Sequence, residues 1–353
     1  MRIYLKKSLF EEKEYLLLDN NGMRVVAFKY STGVEALRVE NEKGYFIILP
    51  FQGQQIWRAH FCGKDLVMKT KFSEPVPTLE YLKTYGGFLL HCGINNTGSP
   101  APDEKPYPQH GEIPNAEYKT AYIDAEDDYI SVGGELTYDV SFIKSYTFSP
   151  ECRLYRNDSV LKVKVTLENR RHYPMEYMYL CHINYRPIDN AELIYSANSV
   201  KAVRGDYSAL PEEQREKLLD YIGRVEKDYT IHHKVGAEGQ VYDPELCFLI
   251  DYKSDENDRT YTLQYAEDGA CYVSHDTKIL PVGVRWISRT LDEDSMGMIL
   301  PSTSEHLGYK NAKEKGQVKI LGPMEKVEFF IEAGWLSKNE ADEVKEKIKK
   351  LNR

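Results

Sequence analysis

The feature that most constrains the fold of this chain is the alternation of apolar and polar residues in many short segments. Between Ser159 and Leu167, every second residue from Leu161 onward is apolar and its neighbours are polar. This period of two is typical of a half-buried strand. Similar runs, separated by turn residues, occur at Arg24–Phe28, Gly44–Leu49, Tyr129–Val132, Cys247–Asp251 and Tyr261–Tyr265. The pattern predicts an all-β fold of large antiparallel sheets.

Other segments indicate how the sheets are connected. Two alternating runs, Gln317–Leu321 and Lys326–Ile331, flank Gly322-Pro323 and predict a hairpin. Helical periodicity is convincing only in a polar insertion near residues 208–228 and in a C-terminal helix at 337–351, which opens with a capping-box pattern. We find no linker, repeat or low-complexity run, so we expect a single domain over residues 1–353.

Composition limits the classes of partner. The chain has 353 residues, 42% of them hydrophobic, and a formal charge of −9. Nucleic acid and anionic membranes are therefore not expected as partners, because phosphate binding needs clustered Lys and Arg. The N-terminal sequence has no signal-peptide pattern, and the six cysteines are far apart without a CxxC motif. We expect a soluble, cytoplasmic protein with free thiols; a homodimer is an open alternative for its assembly.

The segment from Tyr85 to Asn115 is rich in glycine, proline, amide side chains and histidine. It contains His91 and His110, and Gly111 follows the second histidine. A glycine there lets the backbone approach a ligand closely and leaves the imidazole uncovered. The alternative is a turn histidine that caps local carbonyls. Polar loops over a rigid sheet often shape a pocket, so we expect a neutral, hydroxyl-rich ligand.

A third histidine, His182, lies in the otherwise apolar and aromatic segment Met178–Pro187. Taken alone, it can equally be a core residue whose hydrogen bonds are satisfied. Asn184 and Arg186 share its strand face, however, and polar groups that face a sheet interior need partners or a ligand. This polar stripe favours a role in a site.

Further candidates are a carboxylate and two pairs of a cation beside an aromatic residue. Glu305 lies in a hydroxyl-rich loop, although most glutamates are solvated surface groups. The pairs are Arg285-Trp286 and Trp57-Arg58; either tryptophan can stack on a sugar ring, although core packing is the default for tryptophan. No zinc-binding pattern, Walker loop or GxGxxG motif occurs, so we expect no metal and no cofactor.

Several of these segments together resemble the aldose 1-epimerase family, in particular its bacterial branch of galactose-mutarotase-like proteins left as a domain of unknown function. The motifs spread over most of the chain and are Phe51–Trp57, Tyr81–Gly93, His110–Ala116, Met175–Pro187, Gly283–Thr290 and Leu300–Tyr309. The resemblance implies a β-supersandwich with an open sugar cleft. It also implies interconversion of the α and β anomers of an aldose by an acid and a base at C1.

The resemblance assigns roles to individual residues. His182 matches the family's catalytic histidine, which protonates the ring oxygen, and His110 matches its substrate-binding histidine. The family's base lies in a Leu-Glu pair where this chain has Ile299-Leu300-Pro301. Glu305 is the nearest replacement. The family's arginine near the first histidine loop has no clear match, and His91, Asn95 or Arg58 can occupy that space.

The sequence therefore predicts an aldose 1-epimerase-like enzyme that binds a small sugar. The predicted catalytic residues are His182 as acid and Glu305 as base. The predicted substrate contacts are His110, Asn184, Arg285, Trp57, Arg58, His91 and Trp286. Two alternatives stay open: a carbohydrate-binding protein without catalysis, and an isomerase or epimerase of a keto or acidic sugar. In the last case Arg285 and Arg186 would hold an anionic group.

Overall fold

The computed structural model describes residues 1–100 and 107–353, which form two large antiparallel sheets and three α-helices. Within these ranges, nine strands form the smaller sheet and thirteen form the larger one. The prediction of an all-β fold with large antiparallel sheets and few helices is confirmed.

The first eleven strands, in chain order, are β1 (Arg2–Tyr4), β2 (Tyr15–Asn20), β3 (Met23–Lys29), β4 (Glu35–Asn41), β5 (Gly44–Ile48), β6 (Ile56–Phe61), β7 (Lys64–Asp65), β8 (Leu89–Ile94), β9 (Thr120–Ala125), β10 (Tyr129–Val140) and β11 (Lys144–Tyr155). The other eleven are β12 (Val160–Asn169), β13 (Met175–Ile183), β14 (Glu192–Tyr195), β15 (Ala197–Val203), β16 (Leu246–Tyr252), β17 (Arg259–Tyr265), β18 (Gly269–Asp276), β19 (Val282–Arg289), β20 (Asp294–Ser302), β21 (Lys319–Leu321) and β22 (Lys326–Ser337).

The spatial order of the strands differs from their order in the chain. The smaller sheet runs β1-β9-β10-β11-β12-β22-β18-β17-β14. The larger sheet runs β15-β16-β19-β20-β13-β8-β6-β5-β4-β3-β2, with β21 paired to β13 and β7 paired to β6. Strand β13, which carries His182, therefore lies inside the larger sheet, with β8 and β20 on either side.

Strand β12 shows how the alternating pattern produces this arrangement. Leu161, Val163, Val165 and Leu167 are buried in the main core, whereas the residues between them are partly exposed. The strand pairs with β11 on one side and β22 on the other. Burial of each such side chain stabilises the fold by roughly 1.5–3 kcal/mol. The same core includes buried side chains from both sheets, so it joins the two layers.

The predicted hairpin around Gly322-Pro323 is wrong. Strand β21 pairs with Met175–Tyr177 of β13, whereas β22 pairs with β12 and β18. The two runs therefore belong to different sheets, and the turn between them connects the layers. A turn motif shows only that the chain reverses, and burial decides which strands then pair.

Three α-helices are present: α1 (Glu212–Lys227), α2 (Gly308–Glu314) and α3 (Lys338–Leu351). Helices α1 and α3 lie in the two segments where the sequence predicts helix, and the carboxylate of Glu340 accepts a hydrogen bond from the Ser337 N–H at 2.8 Å. Helix α2 was not predicted, since seven residues are too few to show a 3.6-residue period. Short 3₁₀ turns occur at Lys7–Leu9, Tyr81–Thr84 and Tyr229–His232.

Two further observations concern the chain as a whole. All six cysteines lie in the described ranges and are free. Of the helices in residues 1–100 and 107–353, none combines the length and the apolar character needed to cross a lipid bilayer.

Candidate active site

A cavity of about 450 Å³ opens over five neighbouring strands of the larger sheet, β15, β16, β19, β20 and β13. The strand residues that line it are Val203, Cys247, Val284, Trp286, Leu300, Leu180 and His182. Loops supply the rest of the lining: Tyr81, Leu82, Tyr85, Gly98, Ser99, Gln109, His110, the segment 204–207, Pro244, Glu245, His306 and Leu307. The volume is within the range of roughly 300–1,000 Å³ that is usual for small-molecule sites.

His182 lies at the end of β13, where Asn184 orients its ring. The His182 Nδ1 and Asn184 Oδ1 atoms are 2.8 Å apart, and Asn184 Nδ2 donates to the carbonyl of Gly87 at 3.0 Å. Because the amide nitrogen must face that carbonyl, Oδ1 is the atom that faces the imidazole. His182 Nδ1 therefore carries the proton, and Nε2 is left with a lone pair. Asn184 therefore positions the histidine and is not among the residues that line the cavity.

His110 is held by a turn with unusual backbone angles. Its φ is +58° and that of Gly111 is +80°. A Cβ on Gly111 would lie 1.9 Å from the carbonyl oxygen of Gly93, so only glycine fits there. The Gly98 N–H donates to His110 Nδ1 at 3.3 Å. His110 Nε2 therefore carries the proton, which is the opposite tautomer to that of His182.

The two histidine rings are close together and are both kept uncharged. Their centroids are 5.3 Å apart. Burial lowers the pKa of His182 to about 3, although the hydrogen bond to Asn184 raises it, and the nearby His306 lowers it further. Burial also holds the pKa of His110 well below its ordinary value, and His182 and His306 add to this effect. At neutral pH this pair thus offers one imidazole acceptor and one imidazole donor.

Aromatic side chains surround the pair. The Tyr81 ring is 4.7 Å from that of His110, and Trp286 is 5.4 Å from His182, centroid to centroid. Tyr85 packs edge-on against both His182 and Trp286, and its hydroxyl donates to Asn184 Oδ1 at 3.1 Å. These rings fix the positions of the imidazoles and present apolar surface beside them.

Several ionisable residues in the cavity were missed as site residues by the sequence predictions, among them Glu245, Asp206 and His306. Glu245 directly precedes β16, and its carboxylate accepts a hydrogen bond from Trp286 Nε1 at 2.5 Å. Burial lowers the pKa of His306 to about 4, although the Glu305 carboxylate opposes this. The only sequence signals were an acidic residue before an apolar strand and a second ionisable residue beside Glu305. Both are too common to single out.

Glu305 is not among the residues that line the cavity. Its carboxylate forms an ion pair with Lys315 Nζ at 2.7 Å and accepts a hydrogen bond from Gln317 Nε2 at 3.4 Å. The next residue, His306, lies at the cavity instead. The predicted base is therefore bound to a lysine, and its side chain does not line the cavity.

Three predicted substrate contacts lie elsewhere. Trp57 is fully buried in a small apolar cluster of its own. Arg58 donates to the carbonyls of Trp57 and Gly86, at 2.8 Å and 2.9 Å, and supports the loop around them. His91 is buried with its Nδ1 atom 2.8 Å from the hydroxyl of Tyr179. None of the three is among the residues that line the cavity.

Arg285 is also outside the cavity, although its neighbour Trp286 lines it. Consecutive strand residues face opposite sides of the sheet. The guanidinium is fully buried, with Nη1 2.7 Å from His232 Nε2 and Nε donating to the carbonyl of Met298 at 2.8 Å. It also lies 4.2 Å from the ring centroid of Tyr195. A clamp on an anionic sugar by Arg285 is therefore not formed.

Within residues 1–100 and 107–353, no cluster of three or more His, Cys, Asp or Glu side chains is arranged to hold a metal ion. The polar side chains that line the cavity include imidazoles, carboxylates and hydroxyls.

Comparison with known proteins gives a family and a fold. The model of a family described as a domain of unknown function, DUF4432, matches residues 31–334. No curated protein matches the chain significantly. Among solved structures, a candidate aldose 1-epimerase from Klebsiella pneumoniae superposes with a TM-score of 0.82 at 17% identity, over 100% of this chain and 96% of that one.

Other solved structures are similar over most of their length. A galactose mutarotase-like protein from Clostridium acetobutylicum has a TM-score of 0.64 at 15% identity, with 90% of this chain and 100% of that one covered. A galactose mutarotase-like protein from Lactobacillus casei has a TM-score of 0.53 at 13% identity, with 85% and 99% covered. At such identities the likeness shows the fold. The predicted galactose mutarotase-like β-supersandwich is confirmed.

Proposed function

Because this chain belongs to the DUF4432 family and has the galactose mutarotase-like fold, we propose that it interconverts the anomers of a neutral sugar. The observation that carries the proposal is the pair of uncharged histidines, His110 and His182, in opposite tautomers in one cavity. Opening a sugar ring needs a proton removed from the anomeric hydroxyl and the ring oxygen stabilised as it leaves C1. An imidazole acceptor beside an imidazole donor suits both needs.

We assign the proton transfers to His182. Its Nε2 atom takes the proton of the anomeric hydroxyl, the bond between C1 and the ring oxygen breaks, and His182 returns the proton to that oxygen. His110 Nε2–H donates a hydrogen bond that strengthens as charge develops on the ring oxygen, a role that a neutral imidazole can perform. C1 then rotates, and closure reverses the steps. This replaces the predicted pair of His182 as acid and Glu305 as base.

Other cavity residues would bind the sugar. The carboxylate of Glu245, oriented by Trp286 Nε1, is suited to accept hydrogen bonds from sugar hydroxyls. The ring of Trp286 can pack against the C–H face of a pyranose. Asp206 and Glu245 line the cavity, and the guanidinium of Arg204 is already paired with Glu226 at 2.7 Å. This balance of charge supports a neutral substrate over an acidic one.

A second candidate is a sugar-binding protein without catalysis. The observation that favours it is Leu300 in the cavity lining, within the Ile299-Leu300-Pro301 segment where the resemblance expects a Leu-Glu pair and this chain has no glutamate. Binding would then be saturable, with no exchange between anomers.

The proposal is tested by following freshly dissolved single anomers of several aldoses by optical rotation or by NMR of the anomeric protons. We expect at least one neutral aldose to equilibrate faster with the protein than in buffer, and uronic acids and sugar phosphates to be poorer substrates. Saturable binding of a sugar without faster equilibration would support the second candidate. If no sugar in the panel binds or equilibrates faster, both are wrong.

A further inference from the structure

A third histidine of the candidate active cavity, His306, has no part in the proposed proton transfers. It lies in the loop between β20 and α2 and lines the cavity together with His110 and His182. Its side chain is close enough to these two histidines to lower the pKa of each. His306 is therefore placed near the atoms that would react.

Gly98 holds the backbones of His306 and His110 in one arrangement. It forms an isolated β-bridge with Leu307, and its N–H donates to His110 Nδ1 at 3.3 Å. A Cβ on Gly98 would collide with the carbonyl oxygen of His306, and the φ of Gly98 is +75°, so only glycine allows this close approach. One short segment thus fixes both histidines at the same edge of the cavity.

The two nitrogens of the His306 ring have different surroundings. Nδ1 is buried and has no hydrogen-bond partner in the described part of the chain. Nε2 is not enclosed in this way, so it is the nitrogen that a ligand in the cavity can reach. The ring is neutral at pH 7, since burial lowers its pKa to about 4, and it carries one proton. Because an orphaned buried N–H is rarer than an unsatisfied acceptor, we place that proton on Nε2.

A hydrogen-bond donor at this position complements the other groups of the cavity. In the proposed reaction, His182 and His110 serve the anomeric hydroxyl and the ring oxygen. The carboxylate of Glu245 can only accept hydrogen bonds, whereas the oxygens of sugar hydroxyls also need donors. We propose that His306 binds the substrate, with its Nε2–H donating to a hydroxyl oxygen other than the anomeric one. This inference rests on the proposed function of the cavity as a sugar site.

The test measures binding by isothermal titration calorimetry, with D-glucose and D-galactose that have reached anomeric equilibrium. Binding of an equilibrated sugar does not require the protein to exchange its anomers, so the result is separate from the test of the reaction. His306→Phe keeps an aromatic ring but removes the donor, and it should weaken binding about tenfold. His306→Gln places an amide N–H near the position of Nε2 and should recover most of the affinity.

Deoxy sugars show whether the lost contact is a hydrogen bond to one hydroxyl. The monodeoxy analogues of the better-binding sugar at C2, C3, C4 and C6 are titrated against the wild type and His306→Phe. For the analogue that lacks the hydroxyl bound by His306, the substitution should cause no further loss. For the others the loss should stay about tenfold. An equal loss for every analogue would show a merely structural role and overturn the inference.

Two controls accompany this test. His60→Phe changes another half-buried histidine, which stacks on Tyr45 and is not among the residues that line the cavity, and it should bind like the wild type. The urea midpoint of His306→Phe should not fall, because the change removes a buried nitrogen that lacks a partner.

The outcomes separate this inference from the proposed reaction. If the pattern with deoxy sugars is found but no aldose equilibrates faster, His306 binds sugar and only the reaction is wrong. If neither sugar binds the wild type, or if His306→Phe binds both sugars like the wild type, the role of His306 is wrong.

Discussion

Two polar clusters that meet strand β19 of the larger sheet use similar side chains in different ways. We call the first the cavity cluster; its members are His110, His182, Asn184 and Tyr85. We call the second the closed cluster; its members are Arg285, His232, His233 and Tyr195. Strand β19 contributes to both clusters. Trp286 packs on His182 in the cavity cluster, and Arg285 forms a hydrogen bond with His232 in the closed cluster.

The clusters differ in what their polar atoms face. In the closed cluster, protein groups occupy most donors and acceptors: Arg285 with His232, and the Tyr195 hydroxyl with His233 Nε2 at 2.8 Å. In the cavity cluster, Asn184 holds Nδ1 of His182 and the Gly98 N–H holds Nδ1 of His110, while the Tyr85 hydroxyl lies 3.4 Å from Nε2 of His182; both histidines line open volume. A buried histidine is thus a candidate catalyst where one nitrogen is held and the other faces space for a ligand. We expect substitutions in the first cluster to change activity and those in the second to change stability.

The largest expected effect is that of His182→Gln on the rate. Loss of the proton acceptor should lower kcat for anomer exchange by ~10²–10⁴-fold. Optical rotation with the best aldose measures it. His91→Phe is the matched control, because His91 is equally buried, with its pKa also lowered to about 3 by burial, yet lies outside the cavity. Equal rates for His182→Gln and wild type would remove His182 from the mechanism.

Next comes Arg285→Ala, which should lower the free energy of unfolding by about 3 kcal/mol. The change leaves the buried His232 Nε2 without its partner and removes the contact with Tyr195. Urea denaturation measures the loss. The kcat of the folded variant should stay within about twofold of wild type, since the side chain does not line the cavity. Arg2→Ala, which breaks an exposed ion pair with Asp124, serves as control and should cost at most about 1 kcal/mol. A large fall in kcat for Arg285→Ala would contradict the division between the clusters.

Glu245→Gln should have a smaller effect and should act mainly on binding. The substitution keeps an oxygen for Trp286 Nε1 but weakens the hydrogen bonds to sugar hydroxyls. We expect KM to rise about tenfold while kcat stays within about threefold. Initial-rate kinetics separate the two parameters. A fall of about a hundredfold or more in kcat alone would instead identify Glu245 as the proton acceptor.

The last prediction concerns pH: acidification should lower the stability of the protein while leaving the rate of the reaction almost unchanged. Burial lowers the pKa of His275 and of His182 to about 3 in the folded protein. Each contribution to stability is complete above the unfolded pKa of about 6.5 and is lost as the pH falls toward the folded value, because the unfolded chain binds the proton more tightly. Each group should lower the free energy of unfolding by up to about 1.4 kcal/mol per pH unit in that window.

Over the same window the rate should hardly change while the protein stays folded, because His182 remains neutral. Unfolding curves and initial rates at a series of pH values between 6.5 and 4.5 measure the two quantities. His275→Phe should make the stability profile shallower and leave the rate profile unaltered. A rate that falls in parallel with the protonation of an ordinary histidine would show that His182 is not held neutral.

Much of the fold could be predicted because strand patterns are local. The alternation at Leu161–Leu167, the helical periodicity near 208–228 and the capping-box pattern at Ser337 are all contained in a few consecutive residues. The Gly322-Pro323 turn was misread, since pairing depends on which sheet buries each run. Helix α2 was missed because seven residues leave too short a pattern.

The residues of the candidate site likewise fall into those that the local sequence reveals and those that it does not. His182, His110 and Trp286 could be found because a polar residue in an apolar strand, a histidine before glycine, and a tryptophan in a strand are visible as local exceptions. Arg285 and Glu305 were assigned to the cavity from their neighbours. Each is one residue away from a residue that does line it, Trp286 and His306 respectively. For Arg285 and Trp286 the reason is that consecutive residues of strand β19 face opposite sides of the sheet.

The sequence by itself determined the all-β class and the chemical character of the site, since both depend on residue type and spacing along the chain. The tertiary structure alone decided which polar residues meet. It brought Glu245, which precedes β16 and is distant in sequence from the histidines, to the cavity; it also bound Glu305 to Lys315 and closed Arg285 against His232. It also determined the protonation of the two histidines, because a tautomer depends on the partner that packing places beside each nitrogen.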